Sequence, residues 1–131
     1  MIHKNKAWLG IDPGINGAIA YLKEEEPPLL IPMPIYKIKK STRVVSEYNI
    51  PCLKDIFSSF DPEETVCILE RPQPMIKFGR TQGVSSTLLI GRGGGILDTA
   101  LVFAGIPYES VGPKKWQNAM LENIRAGNYT K

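Results

Sequence analysis

Ala7-Trp8-Leu9-Gly10-Ile11-Asp12-Pro13-Gly14, followed at once by Gly17-Ala18-Ile19-Ala20-Tyr21-Leu22, is the stretch on which the fold turns. Residues 7–12 form a short apolar run that ends in an acid, the pattern of a central strand. Pro13-Gly14 forces a turn. Residues 17–22 read as a second strand, and so short a link implies an antiparallel hairpin. Beyond the polar turn from Glu24 to Pro28, residues 29–35 read as a third strand. Its prolines suit a sheet edge, because proline cannot donate to a ladder.

Further along, residues 36–46 read as a basic, mobile connector. Ile50, Leu53, Ile56, Phe57 and Phe60 recur at helical spacing, which predicts a helix from about Ser46 to Phe60 that Asp61-Pro62 stops. Thr65 to Glu70 is a fourth strand, again ending in an acid, and residues 71–83 are a loop. Residues 84–104 predict a long apolar helix, interrupted or begun by Gly91-Arg92-Gly93-Gly94-Gly95 and capped by Gly105. Ile106 to Val111 is a fifth strand, and Pro113 opens a last helix that Gly127 ends. The order β-β-β-α-β-α-β-α predicts an α/β domain. Its sheet is mixed and five-stranded with helices on both faces, and residues 1–131 make a single domain.

Composition removes several kinds of chemistry. His3 is the only histidine, Cys52 and Cys67 are the only cysteines, and they form no CxxC pair. A zinc site lacks ligands and a histidine general base is nearly excluded, so carboxylates, lysines, hydroxyls or a metal must do any work. Cys67 reads as a small buried strand residue. The glycine cluster lacks the Gly-Lys-Ser/Thr ending of a nucleotide-binding loop. It reads either as close helix packing or as close approach to a nucleic-acid backbone with Arg92 on a phosphate. Trp116 with Met120, and Tyr21, Tyr108 and Phe103, read as core. No unbroken run of about 18 apolar residues is present, so no membrane span is expected. Met1 to Lys6 carries no signal-peptide pattern, which makes an interior location, cytoplasmic or organellar, the expectation.

The net charge of +3 says little by itself. Its distribution says more. Lys37, Lys39, Lys40 and Arg43 crowd one segment, and Lys114, Lys115, Arg125 and Lys131 another. Such runs are commonly solvated faces, yet two of them flanking acidic strand ends point to a polyanion. Those acids are Asp12 and Glu70. If strands one and four lie side by side, the two carboxylates meet where strand ends open into loops. Two close carboxylates repel, a divalent cation removes the penalty, and Mg²⁺ prefers hard oxygen ligands. The plainer alternative has Asp12 capping its turn and Glu70 pairing with Arg71 at the surface.

At these residues the chain resembles a known family. Gly10-Ile11-Asp12-Pro13-Gly14 with Gly17-Ala18-Ile19-Ala20 resembles the opening hairpin of RuvC-like Holliday-junction resolvases, members of the RNase H-like superfamily. Ile68-Leu69-Glu70 is similar to their second acidic strand. Arg92-Gly93, the helix after it and Ile106-Pro107-Tyr108 are similar to the next helix and strand. Val111-Gly112-Pro113-Lys114-Lys115-Trp116 resembles the Pro-x-x-Trp-Lys segment of the phage and chloroplast branch.

The resemblance implies an RNase H-like fold and a Mg²⁺-dependent endonuclease, with Mn²⁺ a substitute, that nicks four-way DNA junctions as a homodimer in recombination and repair. It implies Asp12 and Glu70 as metal ligands, and it places Lys131 at the start of a helix where a lysine sits near the scissile phosphate. Arg71, Lys77, Arg80, Arg92, Lys114 and Lys115 are the candidate DNA contacts. The family completes its metal site with two aspartates on a C-terminal helix. This sequence stops at Lys131, so the expectation is a truncated, weakly active or inactive chain. Asp98 and Glu109 are poor substitutes for the missing acids. Phe78 is the nearest aromatic to the place where some relatives carry a junction wedge. Another metal-dependent nuclease on the same fold, and a non-catalytic module for branched DNA, are the alternatives.

Overall fold

The computed structural model describes residues 7–72, 76–77, 80–81 and 83–125. Strand β1 (Ala7–Asp12) lies at the centre of a five-stranded mixed sheet of order β3-β2-β1-β6-β9. β2 (Ala18–Lys23) pairs with it antiparallel and β6 (Thr65–Glu70) pairs with it parallel. β3 (Leu29–Pro32) forms one edge and β9 (Tyr108–Val111) the other. The two-residue alternation of a strand sorts the side chains by face. Leu9, Ile11, Ile19, Cys67 and Leu69 point to the buried side. There they meet Leu53 and Phe57 of α1 (Ile50–Ser58) and Leu97 and Leu101 of α2 (Val84–Ala104). Burial pushes the Cys67 thiol up to about 12, so it stays protonated and serves as packing. Tyr21 stacks on Phe60 with ring centroids 4.3 Å apart.

The ends of these elements have local causes. The Asn49 side chain accepts a hydrogen bond from the Cys52 amide at 3.1 Å and so caps α1. A cap of this kind contributes about 1 kcal/mol. Gly105, at φ 72°, closes α2 in the left-handed conformation. α2 joins the parallel neighbours β6 and β9, and a crossover of this sort must carry its helix over a face of the sheet.

Several expectations need correction. Residues 36–46 are not a connector. β4 (Ile35–Lys40) and β5 (Arg43–Tyr48) form a separate two-stranded ribbon. Its Ser41-Thr42 link lacks the Asn-Gly or Asp-Gly signal of tight hairpins, and four cations hide its alternation. The helix expected from Ser46 therefore starts only at Ile50. The expected loop at 71–83 contains the short pair β7 (Ile76–Lys77) and β8 (Arg80–Thr81), so the element order is longer than expected. α2 runs unbroken through its glycines, and by length and composition it is apolar enough to cross a membrane. Arg92 and Asp98 interrupt its apolar run, and both are ion-paired within the fold. Phe103 is not core either. It is 88% exposed on the outer side of α2.

α1 and α2 pack on one face of the sheet. On the other face Trp8, Leu22, Leu30 and Ile68 remain 45–69% exposed. The last helix, α3 (Pro113–Arg125), reaches that face through Trp116.

Candidate functional site

Asp12 and Glu70 are the last residues of β1 and β6. The parallel register pairs Ile11 with Leu69, so the two acids follow side by side on adjacent strands. Ile11 and Leu69 face the core, and alternation turns Asp12 and Glu70 to the opposite face. Neighbouring strands lie roughly 4.8 Å apart, which sets the scale of the separation between the two carboxylate stems. Val111 of β9 is the next residue in the row, beside Glu70.

The turn after Asp12 is built by glycine. Gly14 sits at φ 112°, where L side chains are strained. A Cβ at Gly17 would stand 2.0 Å from the Asp12 carbonyl oxygen, so the chain doubles back against the acid's own backbone. The Gly17 amide donates to the Gly14 carbonyl at 3.0 Å and closes the loop.

Glu70 has a fixed partner. The Trp116 indole Nε1–H donates a hydrogen bond to its Oε2. Gly10, Ile11, Asp12, Ile68, Glu70, Val111 and Trp116 line one shallow cleft of about 270 Å³. Trp116, read from its spacing as core, is 38% exposed and belongs to this cleft. An aromatic at helical spacing gives no sign of whether its N–H has a carboxylate to meet.

Tyr48 is a second residue the sequence did not single out. The Gly14 amide donates to its hydroxyl, while burial outweighs that contact and pushes the phenol up. A Cβ at position 93 would stand 2.5 Å from the same hydroxyl. One glycine of the cluster thus makes room for a tyrosine that braces the Pro13-Gly14 turn.

The candidate cations fall into distinct settings. Arg71 does not pair with Glu70. Its Nη2 donates to both Asp98 oxygens at 2.8 and 2.9 Å, and its Nε to the Ser110 hydroxyl at 3.1 Å. The Tyr108 hydroxyl also bonds Asp98, which raises the phenol's pKa. Asp98 is thereby committed away from the acid pair. Arg92 pairs with Glu47 at 2.5 Å, and Lys115 with Glu109 at 3.0 Å. Lys114 lies in the first turn of α3, two residues before Trp116. Lys77 and Arg80 lie on β7 and β8. Phe78 and Lys131 lie outside the described residues.

The donor set at the cleft is two carboxylates, hard oxygen ligands of the kind Mg²⁺ and Mn²⁺ accept. Glu70 keeps Oε1 beside its bonded Oε2. Among the described residues no group of three or more potential ligands converges. The residues present therefore fit part of a divalent-cation site.

No family model and no curated protein matches the chain. Among the solved structures to which the chain is similar are two of RuvC. One is T. thermophilus RuvC in complex with a Holliday junction substrate, at TM-score 0.52 and 13% identity over 92% of this chain and 73% of that chain. The other is a Thermus thermophilus RuvC structure, at TM-score 0.46 and 14% identity over 87% of this chain and 68% of that one. At this identity the first likeness shows the fold alone: the chain shares the architecture of that RuvC structure.

Proposed function

We propose that this protein is a divalent-metal-dependent endonuclease that acts on branched DNA, as a Holliday-junction resolvase does. The observation that carries the proposal is the placement of Asp12 and Glu70 on adjacent parallel strand ends, on one face and in one cleft. Asp12 and Glu70 would hold Mg²⁺, with Mn²⁺ as a substitute. When bound, such a cation neutralises phosphate charge and lowers the pKa of a coordinated water. The chain's own contributions are positional. The glycine turn and Tyr48 fix the backbone of Asp12, and Trp116 holds one oxygen of Glu70. Lys114, close in sequence to Trp116, and Lys131 are proposed phosphate contacts. Arg71 and Arg92, already ion-paired, would act as supports for the strand end and the ribbon base unless DNA displaces their partners.

A homodimer belongs to the same proposal. Val84, Leu88, Val102 and Phe103 expose an apolar outer face on α2. An exposed apolar surface of this kind marks an interaction site.

The test compares a four-way junction, a linear duplex and an RNA–DNA hybrid as substrates in Mg²⁺, beside Mn²⁺ binding followed by electron paramagnetic resonance. The expected result is weak nicking, confined to the junction, and Mn²⁺ binding that Asp12→Asn abolishes. Equal cleavage by Asp12→Asn, or Mn²⁺ binding untouched by it, sinks the proposal.

A further inference from the structure

The β4–β5 ribbon stands apart from the main sheet, and residues 36–44 are exposed on both strands and both faces. With six residues per strand it is roughly 20 Å long, at about 3.4 Å per residue. Only its base, through Ile35 and Tyr48, packs against the core; a two-stranded ribbon free beyond that is marginal by itself, so the sequence of its outer part reports what it meets. Four of its residues are cations. Alternation and register divide them in pairs: Lys37 and Lys39 lie on one face, and Lys40 lies opposite Arg43 on the other. Among the described residues none of the four takes part in an ion pair. The ribbon's only acid, Glu47, sits at the base and is neutralised by Arg92.

We infer that this ribbon is a duplex-binding arm that enters the major groove of DNA, its two faces each presenting a pair of cations to one of the phosphate walls. The inference rests on the nuclease reading for its ligand and adds a contact surface separate from the acid pair. The major groove, about 12 Å wide, admits a two-stranded ribbon. The base of the ribbon supports the placement. Ser46, Glu47 and Tyr48 share a cavity with Pro13, Gly14 and Ile15, the turn that follows Asp12. A duplex gripped by the arm is therefore anchored beside the acidic cleft. The plainer explanation is that the lysines only guard open strand edges against pairing with other chains.

Anisotropy titrations over a salt series, with a chelator present to stop cleavage, distinguish these explanations. The probes are a linear duplex and a four-way junction, and the quadruple variant Lys37→Gln/Lys39→Gln/Lys40→Gln/Arg43→Gln is set against the parent. Each lost phosphate contact flattens the slope of log K against log salt by about 0.9, so a fall of about 3 to 4 is expected with both probes. Lys23→Gln/Lys54→Gln, which neutralises two cations elsewhere, should leave the slope unchanged. Should the quadruple variant fold poorly, the Lys37/Lys39 and Lys40/Arg43 pairs are neutralised separately, each flattening the slope by about 2. Parent and variants binding DNA with one common slope would overturn the arm and leave the nuclease reading standing. A parent that binds neither probe would overturn both.

Discussion

A carboxylate that must share a cation with a neighbour is useful only while it points at that neighbour, and Trp116 restricts where Glu70 can point. The indole bond takes one oxygen and leaves the other for a ligand. Partners of this kind, one step removed from the metal, typically change affinity 10–100-fold when lost. Because this contact is partly exposed, Trp116→Phe is expected at the lower end, an about tenfold weaker Mn²⁺ affinity. The ring stays in place, so the melting temperature should hardly move. An unchanged Mn²⁺ titration in Trp116→Phe would show that the bond does not orient the acid. At this scale the two acids were legible, because a strand run ending in Asp or Glu is a local pattern. Trp116 and Tyr48 were not, since the partners that give them meaning, Glu70 and Gly14, arrive from distant segments.

Among the elements, α2 and the ribbon depart most from what their sequences announce. The length of α2 and its glycine cap are written locally. Which side is buried is not, because the helix is apolar nearly all round and its periodicity is weak. The structure buries Gly93, Leu97 and Leu101 and leaves Leu88 and Val102 outside, 73% and 65% exposed. If that outer face joins two copies, Leu88→Glu/Val102→Glu should convert a dimer into a monomer in light scattering while the circular dichroism is kept. A parent protein that is already monomeric would remove α2 as the joining surface. The ribbon was hidden for the opposite reason. Its alternation is present but filled with lysines, and charge at alternate positions looks like a solvated loop.

At the scale of the whole molecule, the sheet was the best-read feature. The order β3-β2-β1-β6-β9 places the first and the second acidic strand together, the condition on which the meeting of Asp12 and Glu70 depended. The open face carrying Trp8, Leu22 and Ile68 could not be foreseen, since alternation separates two faces without saying which one is covered. The parallel pairing of β1 with β6 also governs when the site comes into existence. β1, β2 and β3 are joined by short turns, and hairpins of that kind close in about 1–10 μs. β6 can dock only after the ribbon and α1 have been threaded between, a non-local closure that is inherently slower. Asp12 should thus be protected in a formed hairpin before Glu70 arrives, and the mutual repulsion of the acids should fall on the late step alone. Pulsed hydrogen exchange during refolding should find β1–β2 amides protected ahead of those of β6; simultaneous protection would contradict this order. A cation that bridges the acids would then act as a latch on the last strand, slowing its departure without hastening the first turn.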